Sequence, residues 1–174
     1  MGDLGCFGPT VPTEYGGGGL DHISYGLMMQ ELERGDSGVR STASVQGSLV
    51  MFPIYAYGSE EQKMKYLVPL AKGEVIGAFC LSEPEAGSDA TSQKTTAIDK
   101  GDYYLLNGTK NWITNGSSAS VYLVIAQTDI NKGSHGINAF IVEKNLPGVT
   151  VGAKENKLGI RGSDTHSILF NDVK

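Results

Sequence analysis

Residues 59–81 read SEEQKMKYLVPLAKGEVIGAFCL, and this stretch contains the change from helix to strand. Ser59 and Gln62 have the spacing of a capping box, in which each side chain binds the other residue's backbone N–H at the start of a helix. We expect this helix to run to about Lys72, because a glycine follows. The residues beyond it are apolar and form a short run, as expected of a buried strand. The chain is therefore predicted to divide near residue 73 into a helical part and a β part.

Two further helices are predicted in the helical part. Asp21 to Arg34 carries apolar residues at near-helical spacing, and a glycine follows as a stop. Val39 to Tyr57 is mostly small and apolar, which predicts a second, largely buried helix that is broken before Pro53. The turn-rich start of the chain ends in four glycines, Gly16 to Gly19, and we interpret it as a loop. It is not a phosphate-binding loop, because no Gly-Lys-Ser/Thr follows.

About six strands are predicted in the β part. Short segments rich in β-branched and aromatic residues alternate with turn pairs such as Asn107-Gly108. No helical crossovers separate them, so we expect an antiparallel barrel or sandwich. The predicted fold class is α+β, with part of a helical domain over residues 1–73 and a β domain over residues 74–174. The predicted strands are Val75–Leu81, Tyr103–Ile113, Ser120–Gln127, Ile137–Val142, Val149–Ala153 and His166–Val173.

Composition excludes several classes of function. The formal net charge of −5 gives no basic surface for nucleic acid. Two cysteines, Cys6 and Cys80, do not form a disulfide framework, and the three histidines have no metal-ligand spacing. We expect these histidines at surface or strand positions. Neither a run of eighteen apolar residues nor a signal peptide is present, so we expect a soluble protein with no membrane partner.

The densest polar segment covers residues 79–89 and reads FCLSEPEAGSD. An apolar strand stops at Pro84, and the turn that follows presents small residues and free backbone amides. Such amides, together with the Ser88 hydroxyl, can hold an anion or the edge of a polar ring. A plain turn between a strand and a loop is the alternative.

A second candidate segment covers residues 111–116 and reads NWITNG. It contains the only tryptophan, Trp112, which can flank a planar cofactor while Thr114 donates a hydrogen bond to a ring nitrogen. A core tryptophan before a hairpin is the alternative.

Together these segments resemble the acyl-CoA dehydrogenase family. LSEPEAGSD at residues 81–89 and NGTKNWITN at residues 107–115 are similar to two family signatures. PGV at residues 147–149 and KLGIRGSDT at residues 157–165 extend the match. PTEYGG at residues 12–17 and YGSEEQ at residues 57–62 belong to it as well, so the resemblance covers essentially the whole chain.

The resemblance implies that an N-terminal helical domain, a middle β domain and a C-terminal helical bundle enclose FAD. Backbone and Ser82 groups would lie at the pyrimidine edge of the flavin, although many members have Thr at that position. Ser88 would contact the flavin phosphates or the acyl-CoA. Trp112 would pack on the ring and Thr114 would bond near N5. The implied cofactor-binding residues are Phe79, Cys80, Leu81, Ser82, Ser88, Trp112, Ile113 and Thr114.

The family reaction, by the same resemblance, removes a proton from the α carbon of an acyl-CoA thioester and a hydride from its β carbon. The base is a glutamate of the C-terminal bundle. The sequence ends before that bundle, so we expect the base beyond Lys174 and no turnover by this chain alone. Glu83 and Asp89 match structural positions of the motif, and we do not expect either of them to be the base.

The two halves of the sequence indicate different substrates. Residues 33–41, ERGDSGVRS, look like glutaryl-CoA dehydrogenase, in which the arginine matched by Arg40 receives the distal carboxylate. Arg40 and Ser41 are therefore the candidate substrate-binding residues, with Ser88. A guanidinium suits a carboxylate by paired hydrogen bonds. The alternative is that a nearby acid such as Asp36 pairs with Arg40. From Gly77 onward the sequence is closer to short-chain, butyryl-type members.

Further expectations follow from the family. The implied electron acceptor is an electron-transferring flavoprotein or a similar protein, and the implied assembly is a homodimer or homotetramer. The expected location is the bacterial cytoplasm or the mitochondrial matrix. A non-catalytic FAD- or acyl-CoA-binding module is the alternative function. A structural remnant that binds neither ligand is a third possibility.

Overall fold

The computed structural model describes residues 1–174, with four α-helices followed by seven β-strands. The helices are α1 (His22–Gly35), α2 (Ser37–Ser44), α3 (Phe52–Tyr57) and α4 (Glu60–Lys72). The strands are β1 (Gly77–Cys80), β2 (Thr96–Asp99), β3 (Tyr104–Thr114), β4 (Val121–Gln127), β5 (Ile137–Glu143), β6 (Val149–Lys154) and β7 (Thr165–Val173). The predicted α+β class is confirmed. None of the helices is both long and apolar enough to cross a membrane.

The chain folds into two compact units. The first, the helical unit, contains residues 1–78 and residues 156–163. The second, the β unit, contains residues 79–155 and residues 164–174.

Side-chain caps mark the starts of α1, α2 and α4. The Ser59 hydroxyl accepts a hydrogen bond from Gln62 N at 3.2 Å, and Gln62 Oε1 accepts one from Ser59 N at 2.9 Å. The predicted capping box of α4 is therefore confirmed. Asp21 and Asp36 accept hydrogen bonds from backbone N–H groups in the first turns of α1 and α2. A cap of this kind stabilises a helix by about 1 kcal/mol.

The predicted break before Pro53 is wrong. Helix α2 continues into a π-helical segment, Val45–Met51, and from there into α3. Pro53 lies in the first turn of α3, and the N–H of Phe52 donates to Gly47 O, five residues back. The wider π-helical turn accommodates the missing proline N–H, so the chain stays helical up to Tyr57.

A buried glutamine holds the helical unit together. Gln46 is fully buried, and its Nε2 donates to Leu70 O at 2.9 Å and to Val75 O at 2.8 Å. Its Oε1 accepts from Gly77 N at 2.8 Å. Since buried polar groups cost free energy unless they are paired, these three bonds fix the connection between α4 and β1 against the helices.

The strands form one sheet in the order β1-β4-β2-β3-β7-β6, with β5 paired to β4. The pairs β2–β3, β3–β7, β4–β5 and β6–β7 are antiparallel, whereas β2 meets β4 in parallel at a single pair, Thr96 and Gln127. The predicted antiparallel β architecture is confirmed. The sequence did not reveal β2, because it has only four residues and includes alanine and aspartate, which are weak strand formers.

Candidate flavin and thioester site

The Trp112 segment lies on a β-bulge. The register between β3 and β7 shifts between Lys110 and Ile113. Trp112 has a φ of 57°, which is rare for a bulky residue, and its side chain is 58% exposed. The tryptophan is therefore not part of the core of this chain. Backbone strain of this kind persists only where the surroundings impose it, and it clusters at functional sites.

Two hydrogen bonds join the bulge to the segment after β1. Asn111 N–H donates to Ser82 O at 2.8 Å, and Lys110 Nζ donates to Leu81 O at 2.9 Å. Asn111 has no partner residue on β7, because it lies inside the register shift. Two motifs that are separate in the sequence are thus held side by side.

Lys110 is completely buried, and its ammonium group is fully paired. Besides Leu81 O, its Nζ donates to Glu83 Oε1 at 2.8 Å and to Gln93 Oε1 at 3.1 Å. An ammonium group has three N–H donors, and each of them finds an oxygen here.

Glu83 anchors the turn that follows. Its carboxylate also accepts from Lys94 N at 2.6 Å and from Thr95 N at 3.0 Å. Burial raises the pKa of Glu83, but hydrogen bonds from Lys110 and from residues 94–95 outweigh it, so the pKa lies below its usual 4.5. A carboxylate held in this way fixes the turn.

The second acid of the motif is also engaged. Asp89 accepts hydrogen bonds from the hydroxyls of Ser92 and Thr91, and these bonds lower its pKa. Ser88 beside it is exposed, so its hydroxyl is accessible at the surface of the turn.

The predicted flavin-binding residues differ in their exposure. Cys80 and Ile113 are 0% and 2% exposed, so their side chains belong to the core and only their backbone can meet a ligand. Burial raises the pKa of the Cys80 thiol, which therefore stays neutral. Phe79, Leu81, Ser82 and Thr114 are partly exposed. Neither the N–H nor the hydroxyl of Ser82 has a hydrogen-bond partner within the chain.

The loop after Thr114 is held by one carboxylate. Asp164 Oδ2 accepts from Ser117 N at 2.9 Å, from Ser118 N at 2.8 Å and from the Ser118 hydroxyl at 2.9 Å. Asn115 N donates to the backbone oxygen of Asp164 at 2.8 Å. Burial raises the pKa of Asp164, but these hydrogen bonds lower it further than burial raises it.

His166 is the third partner of this cluster. Its Nε2 lies 2.7 Å from Asp164 Oδ1, and its Nδ1 lies 2.8 Å from Gly152 O. Both neighbours are oxygen acceptors, so the two contacts fix the orientation of the ring between Asp164 and Gly152. The predicted strand position of His166 is confirmed, but its pairing with Asp164 was missed. The signal was the Asp-x-His spacing, which places alternate residues on one face of an extended chain.

Arg40 and Ser41 lie on α2 in the helical unit. Arg40 Nε is 2.5 Å from Glu33 Oε2, and Arg40 Nη1 is 3.4 Å from the Ser44 hydroxyl. The alternative prediction, that a nearby acid pairs with Arg40, is confirmed, but the acid is Glu33. Asp36, the example given, does not pair with Arg40, because its carboxylate caps α2 through Val39 N.

Two protein-family models match this chain. The family models described as "Acyl-CoA dehydrogenase, N-terminal domain" and "Acyl-CoA dehydrogenase, middle domain" match residues 1–74 and residues 78–173. An acyl-CoA dehydrogenase of Bacillus subtilis (strain 168) is 51% identical over 174 residues, which are 100% of this chain and 46% of that protein.

Two solved structures are also similar over nearly the whole chain. Butyryl-CoA dehydrogenase from Megasphaera elsdenii superposes with a TM-score of 0.93 at 48% identity, covering 99% of this chain and 46% of that one. A glutaryl-CoA dehydrogenase from Mycobacterium smegmatis in complex with FADH2 also gives a TM-score of 0.93 at 48% identity, covering 99% of this chain and 43% of that one. This chain spans less than half the length of these relatives. Since the two family models together match nearly every residue, the chain belongs to the acyl-CoA dehydrogenase family.

Proposed function

We propose that this chain is the part of an acyl-CoA dehydrogenase that holds FAD and the acyl-CoA thioester during α,β-dehydrogenation of a short-chain or glutaryl substrate. The observation that carries the proposal is the junction of residues 81–82 with residues 110–111, next to the exposed Trp112. Relatives named butyryl-CoA and glutaryl-CoA dehydrogenase support it, and one of them is a complex with FADH2. A boundary near residue 73 between the helical domain and the β domain is part of the proposal.

Several groups in the β unit fit a flavin. A planar ring with a polar edge needs an aromatic or apolar face and hydrogen-bond donors beside it. Trp112 offers the face, while the Ser82 N–H, the Ser82 hydroxyl and the partly exposed Thr114 hydroxyl offer donors. Bound FAD would supply the acceptor for the substrate hydride. Phe79, Cys80, Leu81 and Ile113 would contribute backbone and apolar contacts, and Ser88 would bind an anionic group of FAD or acyl-CoA.

Arg40 distinguishes the two substrate classes in this proposal. Its pair with Glu33 is partly exposed, with side-chain exposures of 31% and 44%. The distal carboxylate of a glutaryl thioester would take the place of Glu33, with Ser41 beside it. A butyryl thioester has no such group and would leave the Arg40–Glu33 pair intact. Electrons would then pass to an electron-transferring flavoprotein or a similar acceptor.

The test is the visible absorption spectrum of the chain after incubation with FAD and removal of free flavin. We expect the wild type to retain flavin and the double variant Trp112→Ala, Thr114→Ala to lose it. Tyr103→Ala, at another partly exposed aromatic residue of the β unit, is the matched control and should retain flavin. Equal retention by the double variant and the wild type would refute the site, and a folded wild type that binds no FAD would refute the proposed function of this chain.

A further inference from the structure

One peptide group in the junction has a hydrogen-bonded carbonyl and an N–H without an acceptor. The carbonyl of Leu81 accepts from Lys110 Nζ at 2.9 Å. The next carbonyl, that of Ser82, accepts from Asn111 N–H at 2.8 Å. Between them lies the N–H of Ser82, which belongs to the same peptide group as the Leu81 carbonyl and has no acceptor within the chain.

A cation in direct contact with a carbonyl oxygen strengthens the N–H donor of the same peptide group. The positive charge draws electron density toward the oxygen, and hydrogen bonds in sequence polarise one another. The effect is large in the interior, where the effective dielectric constant is low, and Lys110 is fully buried. Glu83 contacts Lys110 but makes no hydrogen bond to the Leu81–Ser82 peptide, so the ammonium group is the charge next to that carbonyl.

We propose that Lys110 is a positioning residue that orients and polarises the Leu81–Ser82 peptide, so that the Ser82 N–H acts as a strengthened donor to the pyrimidine edge of the flavin. The identity of the ligand rests on the proposed function, whereas the orientation of the peptide does not. A donor at that edge stabilises the negative charge that the flavin gains on reduction. Lys110 therefore raises the midpoint potential of bound FAD and tightens its binding.

The variants must separate this role from simple support of the fold. Lys110→Met alone leaves the buried Glu83 carboxylate without its cation, so the informative variant carries Lys110→Met together with Glu83→Gln, which removes both charges. Glu83→Gln alone keeps Lys110 on Leu81 O. Lys94→Met is the matched control, because Lys94 lies in the same turn and pairs with Glu85 on the surface, where both side chains are about two-thirds or more exposed.

The first measurement needs no flavin. In a ¹H–¹⁵N spectrum of the wild type, the Ser82 amide nitrogen should resonate downfield of the amide of exposed Ser88. The shift should be lost in the double variant, which carries both Lys110→Met and Glu83→Gln. It should be kept in the single variant Glu83→Gln and in the control Lys94→Met. A Ser82 amide that is not downfield in the wild type overturns the proposal even if the double variant does not fold. A shift that survives in the folded double variant also overturns it.

The second measurement uses the FAD-loaded chain. The midpoint potential of the bound flavin should fall in the double variant, and FAD should bind roughly tenfold more weakly, as expected for one weakened charge-assisted hydrogen bond. An unchanged potential overturns the role of Lys110 toward the flavin. The wild type could bind no FAD while its Ser82 amide nitrogen shows the expected downfield shift. That result would refute the proposed function and support the polarisation of the Leu81–Ser82 peptide by Lys110.

Discussion

Two cation–carboxylate pairs in this molecule have similar chemistry and opposite surroundings. Lys110 and Glu83 are 2.8 Å apart with side-chain exposures of 0% and 6%, whereas Arg40 and Glu33 are 2.5 Å apart with exposures of 31% and 44%. Breaking a buried pair strands a charge away from water, while water replaces a lost partner at the surface. Solvent access, rather than contact distance, thus separates a pair whose loss leaves a buried charge from a pair whose loss leaves both groups in contact with water.

Asp164 provides an intermediate case. Its side chain is 21% exposed, and it holds Ser117, Ser118 and His166. Ordered by exposure, the three carboxylates are Glu83, Asp164 and Glu33. The loss in the free energy of unfolding when a cluster is disrupted should be largest for Glu83, smaller for Asp164 and smallest for Glu33.

The largest effect is expected at Lys110. Lys110→Ala leaves Glu83 buried without its cation, and the free energy of unfolding should fall by about 3–5 kcal/mol. Urea denaturation measures this loss. The control Lys94→Ala breaks an exposed pair and should cost less than about 1 kcal/mol. Similar losses in the two variants would show that burial does not separate the pairs.

Glu83 should contribute to the pH dependence of the free energy of unfolding. Its pKa is lowered in the folded state, so its contribution to stability is present above the unfolded value, near 4.5, and is lost as the pH falls through the folded pKa. Glu83→Gln should be less stable than the wild type at neutral pH, and the gap should narrow below about pH 4.5. Denaturation midpoints across this pH range measure it, and a gap that stays constant or widens on acidification would contradict the assignment.

A smaller loss is expected at Asp164. Asp164→Ala leaves the N–H groups of Ser117 and Ser118 and the ring of His166 without their acceptor, which should cost about 1–3 kcal/mol. Exposed Asp102 provides the control, and Asp102→Ala should be nearly neutral. If Asp164→Ala lowered the free energy of unfolding as much as Lys110→Ala does, the loss of stability would not follow the exposure of the carboxylates.

The smallest effect on stability is expected at Arg40. Arg40→Ala should lower the free energy of unfolding by less than about 1 kcal/mol. It should weaken glutaryl-CoA binding by roughly tenfold or more, as expected for a lost charge-assisted pair, and leave butyryl-CoA binding unchanged. The control is Arg34→Ala, which breaks the exposed Arg34–Glu31 pair. Equally weakened binding of glutaryl-CoA and butyryl-CoA would show that Arg40 does not bind the distal carboxylate.

Local signals in the sequence predicted most of the elements. The Ser59–Gln62 capping box predicted the start of α4, because both partners lie within one helical turn. The continuity through Pro53 was not predictable from such signals, since it depends on a π-helical turn. Strand β2 was missed because its four residues lack a strand pattern of their own and pair with β3 and β4.

The candidate site shows the same division between local and long-range information. The motifs pointed to Ser82 and Trp112, but their connection depends on the β-bulge and on Lys110, which pairs with a carboxylate 27 residues away. The positive φ of Trp112 was also not readable, because φ values above zero are predictable mainly at glycine and asparagine. Contacts between distant residues form only when the sheet assembles, so no local pattern encodes them.

Amide hydrogen exchange of the chain with and without FAD tests the central claim most directly, because it locates the bound ligand on the sequence. We expect FAD to slow exchange in residues 79–82 and residues 111–114 and to leave residues 130–136, between β4 and β5, unchanged. Protection confined to other segments, or no protection in either junction segment, would contradict the assignment of these residues to a flavin site.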